Sequence, residues 1–375
     1  MCEASAAMFT EHFSELEDPR SDNKRHVFLD IIMIAVCAAI CGADTWDDIE
    51  LFGISKEGWF KPFLRLPHGI PSHDTFRRVF ARLDAERFQS CFVKWVQSVE
   101  MLMVGQVVAL DGKTLRRSHD RANGKEALHL VSAWASENRL VLGQRVVDDK
   151  SNEITAIPQL LDILELSGCI VTIDAIGTQT AIAERIIDKH SDYVLPVKEN
   201  QGRLHEALRG LFDDPAELRW VECDYHKTVS KGHGRIEIRE CWTTSDPEYL
   251  QYIATLSEWK GLQSIGVVQT ERRSGDASTV KRRYFISSLS SDAKRMLHAV
   301  RTHWEIENKV HWILDVVFRE DDCRVRKGNG AQNFAVLRHI ALNLLRREKT
   351  TKRSIRARRL KAGWDNAYLL KVLTA

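Results

Sequence analysis

Apolar residues recur at helical spacing through the first hundred residues of the chain, between Gly and Pro residues that interrupt the pattern. The most hydrophobic segment, Ile31–Cys41, is too short to span a membrane and predicts a buried helix. Leu66–Asp84 predicts another helix, which begins near Pro71 and Ser72. Its polar side is basic, so it is either a nucleic-acid-contacting helix of the helix-turn-helix kind or an ordinary amphipathic helix with a solvated basic face. The basic residues are Arg77, Arg78 and Arg82.

Two later segments have a different pattern, in which a run of apolar residues ends on an aspartate. Val107–Arg116 predicts a short buried strand that delivers Asp111 to its C-terminal end, where Gly112 turns the chain away. Cys169–Asp174 repeats the pattern, with Asp174 as its last residue. Each aspartate alone could simply cap a turn or a helix. Two such strands together favour a shared divalent-metal site at one sheet edge, because these ions bind carboxylate oxygens.

Strands and helices alternate around these two segments. Strand patterns at 127–135 and 140–147 precede a helix pattern at 154–166, and a helix pattern at 179–190 is followed by a strand at 193–197. Three strands in succession, followed by strand–helix alternation, predict a mixed sheet with helices packed on it. This order matches the ribonuclease-H-like arrangement, in which the first and fourth strands lie side by side and bring their acids close together.

Residues 221–289 are rich in strand patterns again and predict a β-insertion before the helix that follows. Four residues in this segment could in principle bind zinc, although their spacing matches no compact zinc module. They are Cys223, His226, His233 and Cys241. Basic residues on the same strands are either DNA-facing or an exposed basic strand face. They are Lys231, His233, Arg235 and Arg239.

A long helix is predicted over Asp292–Val317, which contains neither Gly nor Pro and has a broad apolar stripe. Glu305 and Glu307 lie between its apolar positions. A carboxylate that faces a core is costly unless it is paired or bound to a metal, so one of these residues is expected to face Asp111 and Asp174. The other alternative, a solvent-facing glutamate, suits Glu305 better than Glu307.

Composition bounds these interpretations without deciding among them. The chain has 375 residues, 44% of them hydrophobic and 28% charged, which is typical of a globular protein with two or three domains. The net charge of +2 is nearly balanced, so a basic surface must arise from uneven placement of the charges. Eight scattered cysteines and the lack of a visible secretory leader predict a cytoplasmic protein with reduced thiols and no membrane span.

Five ordered motifs resemble those of the H-repeat-associated (ISAs-type) transposases, bacterial insertion-sequence enzymes related to the insertion-sequence-4-like DDE group. The motifs are VVALDGKTLRRS, VTIDAIGTQ, YVLPVKENQ, KGHGRIEIRE and RTHWEIENKVHWILDVVFREDDCRVRKGN. The resemblance covers nearly the whole chain, from Asp18 onward. It implies a ribonuclease-H-like catalytic domain whose catalytic and metal-binding residues are Asp111, Asp174 and the glutamate of a W-x-I-E run, here Glu307.

The same resemblance implies the reaction and its partners. Two Mg²⁺ or Mn²⁺ ions at the three acids would support cleavage of double-stranded DNA at terminal inverted repeats and joining of the freed ends to target DNA. A homodimer on paired DNA ends is expected, and the protein would associate with the nucleoid when it is bound to DNA. The broader group carries Tyr, Arg and Lys around the glutamate, whereas this chain has Val300, His303 and Leu314 at those positions. Arg301 and Lys309 lie close by and could substitute for them.

Several basic and polar residues are candidates for contacts with the DNA backbone, although each one alone could equally be an ordinary surface residue. The candidates are Lys113, Arg116, Arg117, Lys198, Gln201, Arg235, Arg301, His303, Lys309, Arg324 and Arg326. The C-terminal segment 346–375 is strongly basic and is interpreted either as a further strip of contacts with the DNA backbone or as a solvated tail.

The fold class predicted from these patterns is α/β, with a ribonuclease-H-like mixed sheet, a β-rich insertion before the last catalytic helix and an N-terminal helical domain. The chain is divided into a helical, DNA-binding part, two parts of a catalytic core, the insertion between them, and the basic tail. The corresponding ranges are 1–100, 101–220 and 291–345, 221–290, and 346–375. Two alternatives to an active transposase remain open, a domesticated DNA-binding relic and a structure-specific nuclease on the same fold.

Overall fold

A computed structural model describes residues 11–21, 24–119, 126–147, 152–232, 234–275 and 277–375. The N-terminal helices are α1 (Phe28–Cys41), α2 (Trp46–Phe60), α3 (His73–Arg82) and α4 (Ala85–Val99). The central elements are β1 (Val107–Thr114), β2 (His129–Ala135), β3 (Leu140–Val147), α5 (Glu153–Ile163), β4 (Ile170–Ile173), α6 (Thr180–Asp188), β5 (Asp192–Val197), α7 (Gly202–Asp213) and α8 (Pro215–Leu218).

Four further strands and six helices complete the described chain. The strands are β6 (Asp224–Gly232), β7 (Arg235–Thr244), β8 (Ser264–Ser274) and β9 (Ala277–Ser287), with α9 (Pro247–Leu256) between β7 and β8. The last helices are α10 (Ala293–His303), α11 (Trp312–Val316), α12 (Gly330–Arg347), α13 (Ile355–Trp364) and α14 (Asn366–Leu373), and a π-helical turn (Glu307–His311) connects α10 to α11.

The nine strands form one sheet in the order β3-β2-β1-β4-β5-β9-β8-β7-β6. β1 is antiparallel to β2 and parallel to β4, which in turn is parallel to β5. This confirms the predicted ribonuclease-H-like core, in which the first and fourth strands are neighbours. The β-rich insertion continues the same sheet, because β9 pairs antiparallel with β5.

The first strand differs from its prediction at its outer end. β1 continues past Asp111 to Thr114 and stays paired with β2, so Gly112 does not turn the chain. Only the pairing with β4 stops, after Leu110 and Ile173. Gly112 instead leaves room for the Glu153 carboxylate, because a Cβ atom at this position would lie 2.0 Å from Oε1 of Glu153 and would displace that side chain. The shortness of β4 therefore leaves Asp111 beside an opening at the sheet edge.

Both faces of the sheet are covered. Val107, Ile170 and Val194 pack with Leu297 and Val300 of α10 in one buried cluster. The larger core lies on the other face and includes buried residues of α5, α6 and α12, because side chains alternate between the two faces along each strand. α10 is thus held against the strands that carry Asp111 and Asp174.

The N-terminal helices pack against the C-terminal ones, and their apolar residues belong to the same large core. Asn333 of α12 donates hydrogen bonds to the carbonyl oxygens of Phe80 and Leu83, which end α3. Within the described residues, no single helix is long and apolar enough to cross a bilayer. The pair α1 and α2 passes that test by composition, but it is bent by 98°, and α1 is almost entirely buried.

The predicted long helix of Asp292–Val317 is interrupted. α10 ends at His303, and the chain continues through Trp304 into the π-helical turn before α11 begins. A π-turn inserts an extra residue into the helix and rotates the side chains that follow it, which apolar periodicity alone does not reveal. The segment after residue 346, predicted as a strip or solvated tail, is folded into α13 and α14.

Candidate active site

Asp111 occupies the middle of β1, with Leu110 paired to Ile173 on one side and Asp111 itself paired to Ser132 on the other. Its side chain is 23% exposed. Asp111 and Asp174 each directly follow the last residue of the β1–β4 pairing, and paired strands lie about 4.8 Å apart. Asp111 and Asp174 therefore leave neighbouring strands at the same edge.

Glu307 is the first residue of the π-helical turn, and its side chain is 62% exposed, so it does not face the core as expected. Its carboxylate instead bends toward β1. Nδ1 of the buried His311 lies 3.0 Å from Oε2 of Glu307 and 3.5 Å from Oδ2 of Asp111. Glu305, two residues earlier, is exposed, and it is not part of the group formed by Asp111, Glu307 and His311. The turn thus selects Glu307 as the glutamate next to Asp111.

The donor set Asp111, Glu307 and His311 fits a divalent cation. Their ligand atoms all lie within 4.8 Å of one another. Cis ligands of an octahedral ion with bonds of about 2.1 Å are about 3 Å apart, close to the two distances from Nδ1 of His311. Burial, with the nearby Glu307 carboxylate adding to it against the opposing influence of His311, raises the pKa of Asp111 to about 6. A carboxylate so destabilised as an anion is stabilised by a bound cation.

Asp174 does not belong to this three-residue donor group. It follows β4 directly, and its Oδ1 accepts a hydrogen bond of 3.2 Å from Nζ of Lys198, which follows β5. Burial opposes ionisation of Asp174, but the backbone N–H of Ala175 and the ammonium of Lys198 outweigh it and lower the pKa below its ordinary value. The two predicted aspartates thus share an edge but have different partners.

His303 lies behind Asp174 at the end of α10. Its Nδ1 is 3.1 Å from the hydroxyl of Thr172 on β4. Burial lowers the pKa of His303 to about 4, although Asp174 opposes this shift, so the ring is neutral at physiological pH. A neutral, enclosed imidazole is poorly suited to the phosphate contact that the sequence suggested for it, because phosphate recognition relies on charged or exposed donors.

Lys113, predicted to contact DNA, is only 11% exposed, and its ammonium is ion-paired with Asp315 and, at 2.6 Å, with Glu320. Glu320 is itself buried beside Arg338 of α12. These carboxylates outweigh the burial that opposes the charged form and raise the pKa of Lys113. Such surroundings argue for a structural role, because the largely buried ammonium is already bound by two carboxylates.

Lys113 and Asp111 form two matched contacts with the helix that follows Glu307. Asp111 and Lys113 are two residues apart on β1, a rise of about 6.8 Å, whereas His311 and Asp315 are four apart on a helix, a rise of about 6 Å. The Asp111–His311 and Lys113–Asp315 contacts therefore dock this helix on β1 in one register.

The other predicted DNA contacts are mostly exposed, though several are paired. Arg116 and Arg117 lie beside Asp321 and Asp322, and Arg235 is 3.9 Å from Glu237. Gln201 donates to the carbonyl of Thr178 and thereby joins the loops after β5 and β4. The remaining members Arg301, Lys309 and Arg324 are exposed, while Arg326 is partly buried and donates to the carbonyl of Arg117.

No zinc site forms from the cysteines and histidines of the insertion that the structure describes. Cys241 is buried and lies opposite His226 on the neighbouring strand. Cys223, His226 and Cys241 are not part of any group of clustered metal ligands among the described residues. His233 and its predicted zinc or DNA contact lie outside the described residues. The seven cysteines within the described ranges are free, in agreement with reduced thiols.

His311 is the residue at the site that sequence reasoning missed. Its signal is the spacing Glu307-x-x-x-His311, which places both side chains on the same side of a helix. Asp315 and Glu320 were missed as well, because nothing in the local sequence indicates that they pair with Lys113, more than 200 residues away.

Comparison with known proteins gives consistent matches. Residues 103–344 match the family model of the transposase DDE domain, and residues 10–96 match the model of the domain associated with it. The Escherichia coli K12 protein named “H repeat-associated putative transposase YhhI” is 41% identical over 97% of both chains. “Putative transposase YncI” of Escherichia coli O157:H7 is 40% identical over 97% of this chain and 94% of its own length. A solved piggyBac transposase synaptic complex with hairpin DNA covers 100% of this chain and 82% of its own at 12% identity, with a TM-score of 0.47 that is too low to carry an argument.

Proposed function

Because this chain belongs to the DDE-domain transposase family, alongside the H repeat-associated transposases, we propose that it cuts DNA at the ends of its own element and joins those ends to target DNA. Asp111, Asp174 and Glu307 are the proposed catalytic residues. The reaction is phosphoryl transfer that depends on two divalent cations, Mg²⁺ or Mn²⁺. The substrate is double-stranded DNA that carries terminal inverted repeats, and the active form is expected to be a homodimer on paired ends.

Each side chain has a distinct part in this proposal. Bound cations would activate the attacking water or DNA 3′-hydroxyl and stabilise the leaving oxygen. Asp111 and Glu307 would hold them, with His311 close enough to add a nitrogen donor. Asp174 would complete the site from the neighbouring strand, once Lys198 releases its carboxylate. Lys198 is exposed and would then be free to pair with the scissile phosphate.

The observation that carries this proposal is the Asp111–Glu307 pair. Two carboxylates from segments 196 positions apart in the chain converge within 4.8 Å beside His311, and burial together with this proximity holds the pKa of Asp111 near 6. Such clustering of like charges is unfavourable without a cation. In a chain whose family is named for its acidic residues, this geometry supports a cation-dependent active site.

The test uses the full-length protein and a DNA fragment that carries both ends of the element around its own gene. We expect strand cleavage at those ends, and joined products with a supercoiled target plasmid, only when Mg²⁺ or Mn²⁺ is added. A matched fragment with scrambled ends should not be cleaved. Cleavage that proceeds equally in EDTA would contradict the cation-dependent site.

The same assay separates the two alternatives. A protein that binds the terminal fragment but never cleaves it with either ion would be a DNA-binding relic. A protein that cleaves branched DNA or an RNA–DNA hybrid in preference to the terminal fragment, without forming joined products, would be a structure-specific nuclease. Either result would overturn the proposed transposition reaction.

A further inference from the structure

A wide groove of about 1110 Å³ lies along the helical segment that follows Glu307, with Lys309 of the π-helical turn in its lining. One wall is formed by Lys309 in the π-helical turn and by Trp312 and Val316 of α11. The opposite wall is formed by the turn between β2 and β3 and by the segment that connects α12 to α13. Lys309 is two residues from Glu307 in the same π-helical turn, so the groove and the proposed catalytic acids share that turn.

The groove is lined by an excess of positive charge. Eight of its side chains are Arg or Lys and two are carboxylates, Glu100 and Glu137. Five of the cations are exposed, and within the described part of the chain none of these five is ion-paired. The five are Arg139, Lys309, Lys349, Arg353 and Arg356. A concentration of unpaired cations in a concave surface attracts a polyanion.

One partly buried arginine, Arg346, joins three segments of this groove. Arg346 donates one hydrogen bond of 2.8 Å to the carbonyl of Arg139 and another to the carbonyl of Lys309. It therefore ties the β2–β3 turn, the end of α12 and the π-helical turn together. Burial, and then the like charge of Arg139, lower the pKa of Arg346 to about 9.

The groove also has an apolar platform. Trp312 and Val316 lie one helical turn apart, and each is 56% exposed. A large aromatic ring exposed between cations is typical of surfaces that bind the backbone of an unpaired strand and stack one of its bases. A duplex with intact base pairs offers phosphates to the cations but no base face to the indole.

We propose that this groove binds a DNA strand that leaves the catalytic acids past Lys309, with its phosphates on the exposed cations and an unpaired base stacked on Trp312. The inference rests on the proposed function, because it takes DNA as the substrate of the adjacent site. It also divides the basic C-terminal segment. Arg347, Arg358 and Arg359 donate to backbone carbonyls and stabilise the fold. Lys349, Arg353 and Arg356 line the groove and are exposed.

A matched pair of charge reversals tests the phosphate contacts. Lys352 is exposed in the same segment as Arg353 but does not line the groove. The full-length variants Arg353→Glu and Lys352→Glu are compared for binding of a terminal DNA fragment at several salt concentrations. We expect Arg353→Glu to reduce the slope of log K against log salt by about 0.9, one phosphate contact, and Lys352→Glu to leave it unchanged. Equal effects of the two variants would overturn the proposal.

A second pair tests the stacking platform. Trp312→Leu is compared with Trp364→Leu, since Trp364 is also exposed but lies outside the groove. With a terminal fragment that has a single-stranded extension, Trp312→Leu should weaken binding at least about 5-fold, and with a fully paired fragment it should not. Equal binding by both variants to the extended fragment would show that no base stacks there.

These results are distinguishable from failure of the proposed function. If the wild-type protein cleaves and joins terminal DNA while Arg353→Glu and Trp312→Leu bind it normally, only the groove proposal fails. If the wild-type protein neither binds nor cleaves that DNA, the proposed function itself fails. Thermal unfolding of each variant is measured alongside, and Arg353→Lys, which keeps the charge, is expected to restore the salt slope.

Discussion

The two aspartates at the sheet edge follow neighbouring strands but have opposite surroundings. Asp111 is enclosed, has a second carboxylate beside it, and has a raised pKa. Asp174 is 45% exposed, is paired with Lys198, and has a lowered pKa. Asp111 therefore has only His311 beside it among the basic residues that the structure describes, whereas Asp174 is paired with Lys198, which is exposed and can exchange partners. In the proposed reaction, Asp111 can receive a cation as it stands, whereas Asp174 must first lose its contact with Lys198.

The largest expected effect is on catalysis. Asp111→Asn and Asp174→Asn should each reduce cation-dependent cleavage of terminal DNA at least about 10³-fold, because each removes one of the carboxylates proposed to bind the cations, a loss of several kcal/mol in transition-state stabilisation. DNA binding should persist in both. The measurement is single-turnover cleavage with Mg²⁺.

Glu305→Gln is the matched control for these variants, since Glu305 is exposed on the same helical segment but has no contact with the site. It should cleave at the wild-type rate. If Asp174→Asn cleaved normally as well, the catalytic site would consist of the Asp111 cluster alone, and the pairing of the two aspartates would have to be abandoned.

The next largest effect concerns the support behind Asp111. Lys113→Met should lower the free energy of unfolding by about 3 kcal/mol, because the partly exposed Asp315 loses its ammonium partner and the buried Glu320 keeps only Arg338. Urea unfolding measures this. Arg116→Met, which removes a charge that is 80% exposed, should change the same free energy by less than about 0.5 kcal/mol. If Lys113→Met changed the free energy of unfolding as little as Arg116→Met does, the structural role of Lys113 would be wrong.

A third effect has the opposite sign. The folded-state pKa of Asp111, about 6, lies above its ordinary value of 3.8, so its contribution to stability is present below pH 3.8 and is lost as the pH rises through 6. In EDTA above pH 6, Asp111→Asn should therefore be more stable than the wild type, by on the order of 2–3 kcal/mol at most.

Thermal unfolding between pH 4 and pH 8 checks this, and the advantage of the variant should disappear near pH 4. Adding Mg²⁺ at pH 8 should raise the stability of the wild type but not of the variant, because a ligand that binds only the folded state stabilises it. Asp174→Asn should not be stabilised in EDTA, since its pKa is shifted downward. If Asp174→Asn were also more stable than the wild type in EDTA, the pKa values of the two aspartates would not be shifted in opposite directions.

A smaller effect is expected at His311. His311→Gln should weaken Mn²⁺ binding about 10-fold, the lower end of the usual cost of altering a metal's surroundings. Electron spin-echo spectroscopy of bound Mn²⁺ should show a ¹⁴N coupling in the wild type and none in the variant. Binding without any nitrogen coupling would mean that His311 only positions Glu307.

Much of this arrangement follows from local sequence, and the rest depends on tertiary contacts. A short run of apolar residues that ends on an aspartate is sufficient to predict β1 and β4, and the strand–helix order places them side by side. The π-helical turn is invisible to that reasoning, because its residues look like a continuous helix. The burial of Lys113 and His303 is invisible as well, because a basic residue beside an acid motif has the same local pattern whether it faces DNA or a distant carboxylate.

The C-terminal arginines illustrate the same limit. Their density in the sequence predicts a DNA-binding strip, but density does not separate a guanidinium that binds backbone carbonyls from one that faces solvent. Arg359 is buried over the ring of Phe318 and pairs with Asp44, while Arg356 three residues earlier is exposed. Only the packing of α13 against α1 makes that distinction.

The smallest expected effect tests the exchangeable lysine directly. Lys198→Gln removes the partner that helps to hold the pKa of Asp174 below its ordinary value, so this pKa should rise, as ¹³C carboxyl NMR of the metal-free protein would show. The stabilisation from a lowered pKa is present above the unfolded-state pKa and is lost as the pH falls through the folded-state one, so the variant should be less stable above about pH 4 and as stable as the wild type in strong acid. Because both side chains are about half exposed, the loss should stay within about 1 kcal/mol.

Lys189→Gln, which removes a lysine bound to backbone carbonyls away from this edge, should leave the pKa of Asp174 unchanged. An unchanged Asp174 pKa in Lys198→Gln would mean that the contact is not formed in solution and that Asp174, like Asp111, awaits its positive charge from elsewhere.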